Sequence, residues 1–493
     1  MKITPPTKYL LVIFLISFIL YFPSLSTFYT NDDFFLLKIS HANSFEQFLN
    51  FFSLTKGPDG LGMYRPLTTQ VFYFLAWKVF NLNSLGLHAI SFGVFFTVIY
   101  LVYLLTTQLF VNLNFKSLNQ AVLMSTFLYA TSATHFGHLY YLAAFQELGL
   151  TLFFLLSILV FIKFVTTPHI KYLIWSILFF LLSLMSKETA VVLPLVLMLV
   201  YAFFKFSIGK IISPKHFLLS LVPYYFLLAI YFYMRFKHYG FATGDSYIWD
   251  FSIERTVNTL GWYGLWSFNL PEMLVDFVGP GVKFNPNLFK FWLKEIIPII
   301  ILFVAEGVSI LYLILKSKFL NRKFVSLILF CIAWFITTLI PVLFLPLHKF
   351  TFYLTLPLIG LVFIISYLIT NHKSLILNLS FCAIWLALSI ATLSLTGQTH
   401  WITRGSQTAL NVNNYFTKNY ETLKNFKVVV FSDTDEDKNL PWSPSEIVKV
   451  VLSDQNYFNV FWDDKLEAYY YNSGVKGRNN SVFNIKSRQF LGY

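Results

Sequence analysis

Apolar runs long enough to cross a bilayer recur along the whole chain, and no other feature limits its fold so strongly. The first is "YLLVIFLISFILYFP" at residues 9–23. In hydrocarbon every backbone N–H and C=O must be satisfied within the segment, so each span is a helix of roughly 20 mainly apolar residues. Such stretches fall near residues 8–26, 87–110, 119–134, 145–165, 171–186, 189–206, 216–235, 293–316, 324–346, 351–370 and 374–396. That makes about eleven, with 119–134, 171–186 and 189–206 short for a full crossing. Of the 493 residues 57% are hydrophobic and 12% charged, too few charges to surface a soluble domain of this size. The expected class is an α-helical polytopic membrane protein with a small C-terminal α/β domain outside the bilayer.

Orientation follows from Lys and Arg in the short loops. With the N-terminus inside, "VNLNFKSLNQ", "KFVTTPHIK", "KFSIGKIISPKH", "KSKFLNRKF" and "NHKS" are cytoplasmic, and each carries a basic residue. The net charge of +13 is then a matter of topology and anionic lipid, and no clustered basic face suggests nucleic acid. The placement predicted is a multi-pass protein of the plasma (inner) membrane, with its C-terminus extracytoplasmic. Residues 1–26 also imitate a secretory signal, but their apolar run is nearly a full span. The stretch 256–274, "TVNTLGWYGLWSFNLPEML", reads as an interfacial helix carrying Trp262, Tyr263 and Trp266 at headgroup level. Cys331 and Cys382 both fall in spans, so no disulfide framework is indicated.

This divides the chain into a transmembrane part, 1–397, with outer loops 27–86 and 236–292, and an extracytoplasmic part, 398–493. In the first loop, Ser44 and Gln47 of "SFEQFLNFF" resemble a capping box. In the last part, "FKVVVF" (426–431) and "NYFNVFW" (456–462) read as strands flanking the acidic turn "SDTDEDKNLPWSP".

Candidate chemistry gathers on the outer side. In "STFYTNDDFFLLK" (26–38), Asn31 or Asp32 would cap a helix starting at Phe34. Two adjacent carboxylates exceed what a cap needs, and their repulsion raises one pKa toward that of a general base. Arg65 of "MYRPLTTQ" is either a headgroup anchor or a bidentate phosphate grip beside Tyr64. Lys187 and Glu188, in "SLMSKETAVVLPLV", form a charged pair in a hairpin, and charge at membrane depth is costly enough to suggest function. His135, His138 and Glu147, in "THFGHLYYLAAFQELG", have a spacing compatible with zinc, but no Cys completes the set and a pocket lining is the better reading. His348 and Lys349 mark an outer helix junction, and Arg404 follows the last span. A carboxylate facing several cations suits transfer from a phosphate-linked donor, the base taking a hydroxyl proton while cations stabilise the departing phosphate.

The order of "NDD" in the first outer loop, "YRPL" before the second span, "SKETAVVLPL" and "FYLTLPLIG" resembles the polytopic glycosyltransferases of the C superfamily over roughly residues 8–405. That group includes protein O-mannosyltransferases, the lipid A aminoarabinose transferase and the tetratricopeptide-bearing O-mannosyltransferases. The resemblance implies a polyprenyl-phosphate-sugar donor, a hydroxyl acceptor on lipid, glycan or protein, and an inverted linkage. It implies a base at Asp32, with Asp33 as alternative, and donor-phosphate contacts from Arg65, Lys187, Lys349 and Arg404. Tyr64, His135, His138, Glu147, Glu188 and His348 would line the substrate pocket. A divalent cation is left open. "HKFTFY" replaces the family's Arg-Tyr pair, so Lys349 stands in for that cation, and no tetratricopeptide array follows. A flippase of lipid-linked sugars would need polar residues spread along the spans, which apart from Glu306 are nearly free of charge. A non-catalytic scaffold would leave Asp32, Asp33 and Lys187 unconstrained.

Overall fold

The computed structural model describes the chain except residues 1–6, 56–61, 114, 116, 210, 241–243, 245, 280–281, 317–321, 373, 463–464, 471–481 and 493. Lys116, Lys210 and Lys318 of the predicted cytoplasmic loops lie outside the described residues. Among those described, eight helices are long and apolar enough to cross a membrane: Thr7–Ser26, Ser84–Val111, Leu142–Thr166, Glu188–Ser207, Pro214–His238, Asn287–Lys316, Val325–Leu343 and Leu375–Thr399. The protein is therefore a multi-pass helical membrane protein.

The three remaining predicted spans are shorter helices. Leu118–Ala130 has 13 residues, and Ile170–Leu184 and Pro357–Asn371 have 15 each. The sequence 351–370 is divided because Thr351–Leu354 forms a 3-10 turn and Pro357 then opens a new helix. Trp292 is non-helical within Asn287–Lys316, which bends that helix at its predicted start.

Polar side chains and small residues bind the bundle where apolar packing alone has little driving force. Ser157 and Ser176 donate to each other's backbone carbonyls at 2.7 and 2.8 Å, and the Tyr224 hydroxyl donates to Ser176 Oγ at 2.6 Å. Gly360 lies so close to a neighbouring helix that a Cβ there would stand 2.9 Å from the Cys331 carbonyl oxygen.

Residues 253–267 form a helix too short to span. Its Trp262, Tyr263 and Trp266 are buried against Leu339, Val342 and Leu354, rather than displayed as a headgroup belt. Ser44 caps Phe45–Asn50 by accepting the Gln47 N–H, as expected. The helix predicted from Phe34 starts at Asp32, and the Asn31 side chain makes no capping bond.

The C-terminal segment carries a parallel sheet of β1 (Val428–Ser432), β2 (Glu467–Tyr470) and β3 (Val482–Lys486), with β1 in the centre. Helices Trp401–Lys418, Pro444–Val451 and Asn456–Phe461 accompany it. The last corrects the strand expected at 456–462. Tyr457 and Phe461 are four residues apart on one helical face, and both rings meet Phe34.

Candidate active site

Asp32 and Asp33 open the helix Asp32–Ile39 immediately after the first span, and their side chains part company there. Asp33 is 1% exposed. Its Oδ1 accepts the Tyr73 hydroxyl at 2.9 Å and the Ala143 N–H at 2.7 Å, and its Oδ2 accepts the Thr30 N–H at 3.0 Å. Burial pushes its pKa up to about 7 against the pull of these bonds, and the charge of Asp32 adds to the rise. With both oxygens committed to the scaffold, Asp33 joins three parts of the chain.

Asp32 is solvent-accessible. Protein nevertheless surrounds its carboxyl, and desolvation raises its pKa, opposed by the Tyr141 hydroxyl and by the charge of Arg65. Tyr141 also accepts the Asp32 N–H at 3.2 Å. Asn31, just before, has φ 49° and ψ −122°, a conformation that costs a non-glycine residue about 1–3 kcal/mol.

Arg65, 8% exposed, is held from two sides. Its Nε donates to Glu188 Oε2 at 2.6 Å, one Nη donates to Glu188 Oε1, and the other donates to Gln146 Oε1. Burial works against its charge, but Glu188 outweighs it and raises the pKa. These bonds use three of the five guanidinium N–H donors and fix the fork beside Asp32.

Lys187 and Glu188 do not pair with each other as the sequence suggested. Neighbours in a chain point apart, and Lys187 reaches back to Glu147 on the earlier helix Phe145–Thr166 while Glu188 takes Arg65. The Lys187 ammonium also lies 4.5 Å from the Tyr353 ring centroid. His348 packs against Tyr247, with ring centroids 4.1 Å apart and the planes tilted by 32°. Its pKa is pushed down to about 4 by burial and by the positive charges of Lys187 and Arg65, which keeps it neutral.

The other expected site residues lie around this centre. The Tyr64 hydroxyl donates to the Phe52 carbonyl at 3.2 Å. His135 and His138 are buried among Phe95 and Tyr129. Their polar contacts are the Tyr129 carbonyl at 2.6 Å and Thr355 Oγ1 at 3.4 Å, and burial lowers both pKa values. Neither contact belongs to the charged cluster. Lys349 points to Asn258 at 3.5 Å and shares its surroundings with Arg255 and Asp276. Exposed Arg404 donates to the Gln398 carbonyl at 3.1 Å and lines a separate cavity of about 570 Å³ with Ser26, Thr27 and Ser406. No group of three or more His, Cys, Asp or Glu residues suited to a metal ion occurs among the described residues.

Sequence reasoning missed Glu272. Its Oε2 accepts the Thr351 N–H at 2.6 Å and the Thr351 hydroxyl at 2.7 Å, and its Oε1 meets His400 Nε2 at 3.2 Å. The latch ties the 236–292 loop to the chain just before the helix Pro357–Asn371 and just after the helix Leu375–Thr399. Its signal was a lone carboxylate in an otherwise apolar stretch, "NLPEML".

The ensemble offers an accessible carboxylate with raised proton affinity, an anchored guanidinium beside it, and aromatic walls from Tyr247 and Tyr353. No family model matches the chain, and neither does any curated protein. Among solved structures the chain is similar to the archaeal oligosaccharyltransferase AglB from Archaeoglobus fulgidus, solved in complex with an inhibitory peptide and a dolichol-phosphate. That likeness has 13% identity and a TM-score of 0.43, and covers 94% of this chain and 64% of the other, so this chain matches less than two thirds of that protein's length.

Proposed function

We propose that the protein is an integral membrane glycosyltransferase, moving a sugar from a polyprenyl-phosphate-linked donor to a hydroxyl on a lipid, glycan or protein at the extracytoplasmic face. The observation that carries this reading is the pairing of the accessible Asp32 carboxylate with the anchored Arg65 guanidinium, directly after the first span. Asp32 takes the proton of the acceptor hydroxyl as its oxygen attacks the anomeric carbon. The bond from that carbon to the phosphate oxygen breaks, its electron pair leaves with polyprenyl phosphate, and the glycosidic linkage forms with inversion. Arg65 stabilises the charge gathering on the leaving phosphate through its remaining N–H groups.

Lys187 acts through its pairing with Glu147, and Tyr64, Glu188 and His348 shape the pocket. Asp33 holds the base loop and leaves the proton transfer to Asp32. Lys349 and Arg404 lie apart from the charged cluster and enter only where a long acceptor or the donor's headgroup extends toward them.

Purified protein in detergent, given undecaprenyl phosphate linked to glucose, mannose or aminoarabinose together with a solubilised membrane extract as acceptor source, tests this. Wild type releases undecaprenyl phosphate with at least one donor and Asp32→Asn does not. Equal release from both removes Asp32 as the base. Movement of donor across vesicles without any release would indicate a flippase instead.

A further inference from the structure

The turn that presents Asp32 is clamped from behind by the C-terminal segment. The N–H of Asn31, the residue at φ 49°, donates to the Val451 carbonyl at 2.8 Å, and the Phe28 N–H donates to Ser406 Oγ at 2.7 Å. Phe34, fully buried, presents its ring to Tyr457 at 5.4 Å and to Phe461 at 6.1 Å. Between these contacts the helix Trp401–Lys418 passes the turn at Gly405. A Cβ built there would stand 2.6 Å from Thr30 Oγ1, 3.3 Å from Asn31 Oδ1 and 3.4 Å from Val451 Cγ2. Thr30 is fully buried and branched at Cβ, so it has little room to yield. An unfavoured backbone conformation persists only where its surroundings over-determine it; here Asp33 and Tyr141 hold the Thr30 and Asp32 N–H groups, while residues 405–461 supply the contacts to Phe28, Asn31 and Phe34.

We infer that the C-terminal α/β segment is a positioning element for the base: Gly405, Ser406 and the Val451 carbonyl hold the Thr30–Asn31 turn so that the Asp32 carboxylate faces the donor. This rests on the transferase reading above and assigns the segment a role in catalysis rather than in acceptor capture. Gly405 and Ser406 touch no substrate and act through the turn.

The test is Gly405→Ala, with Ser406→Ala as a variant that adds no volume, and Thr30→Ala/Gly405→Ala as the rescue, since removing Thr30 Oγ1 reopens the space. Turnover of the undecaprenyl-phosphate sugar used by wild type is measured alongside hydrogen exchange over residues 28–39. Gly405→Ala should lower kcat about ten- to a hundredfold with the donor KM within about twofold of wild type, as expected for a misplaced reacting group. Exchange should quicken over 28–39, Ser406→Ala should show a smaller effect of the same kind, and the double variant should recover. A Gly405→Ala enzyme with normal kcat, a parallel loss of donor affinity, or a double variant as slow as the single would overturn the inference. If wild type releases no undecaprenyl phosphate at all, the transferase reading falls, and exchange alone decides the clamp. Faster exchange confined to 28–39 and reversed in the double variant supports it, and unchanged exchange refutes it.

Discussion

Replacing each aspartate of the pair by asparagine should separate two roles that the sequence leaves indistinguishable. Asp33→Asn keeps an oxygen for the Tyr73 hydroxyl and the Ala143 N–H, but sets an NH2 group against the Thr30 N–H that Oδ2 now accepts at 3.0 Å. One hydrogen bond is lost and a buried donor is left unpaired, a cost of about 1–3 kcal/mol. The pKa of Asp33 lies at about 7, above its ordinary 3.8, so its contribution to stability is fully present below the unfolded value and is lost as pH rises through about 7. Ionising it in the folded state costs on the order of 4 kcal/mol well above that pH. The asparagine carries no such penalty. Melting in detergent from pH 5 to 8.5 should find Asp33→Asn less stable than wild type at pH 5, with the gap closing or reversing at the alkaline end, and with some transfer activity kept throughout. Asp32→Asn should transfer nothing, and because burial raises the Asp32 pKa as well, this variant should gain stability relative to wild type as pH rises. The reasoning is refuted if Asp33→Asn melts below wild type by the same margin across the range, or if Asp33→Asn is inert while Asp32→Asn turns over.

Two further substitutions probe the charged cluster. Lys187→Met strands the buried Glu147 carboxylate and should destabilise by about 3–5 kcal/mol, whereas Lys187→Met/Glu147→Gln should regain most of it; simple addition of the two single losses in thermal unfolding would show that the pair is not coupled. Arg65→Gln should weaken undecaprenyl phosphate binding by about tenfold or more, read from the ligand-induced melting shift. The same variant should move the acid limb of kcat/KM to higher pH, because the Arg65 charge holds the Asp32 pKa down, and an unmoved limb would place Arg65 out of reach of the base.

The helical membrane fold was legible because hydrocarbon permits so few solutions to backbone hydrogen bonding. The central strand at 426–431 was legible from its unbroken β-branched run. The segment "NYFNVFW" was not, because its aromatic residues suit a strand face as well as a helix, and only the partners of Tyr457 and Phe461 decide between them. The Lys187–Glu188 doublet misled for a geometric reason. Adjacent side chains diverge, so each charge found its partner 40 or 123 residues away in the chain, at Glu147 and Arg65. The aspartate pair is similar: sequence locates it, but which carboxylate is spent on the scaffold depends on Tyr73 and Ala143, both remote in sequence. Glu272 was hidden for the same reason, since nothing local marks Thr351 and His400 as its partners.

The charge balance of the centre carries one more consequence. Arg65 and Lys187 are each matched by a carboxylate, Glu188 and Glu147, and Arg235, whose charge also acts on Glu188, is a further cation at the edge of the cluster. A donor phosphate arriving beside Arg65 brings its negative charge close to an ionised Asp32, which depends on that same guanidinium for its electrostatic support. A like charge nearby disfavours ionisation, so bound phosphate should raise the Asp32 pKa further above its already raised value. Reciprocity then requires that protonating Asp32 tighten phosphate binding. Affinity and turnover should move in opposite directions with pH: on acidification the dissociation constant for undecaprenyl phosphate falls, while kcat falls too because the base is occupied by a proton. The phosphate monoester titrates in its own right near pH 6, so the comparison must be made against Asp32→Asn, whose binding should keep only the ligand's part of the pH dependence. Equilibrium binding of undecaprenyl phosphate to both proteins between pH 5 and 8.5 measures the difference. Parallel curves would mean that the carboxylate does not sense the phosphate, and a base that does not sense the leaving group's charge is not beside it.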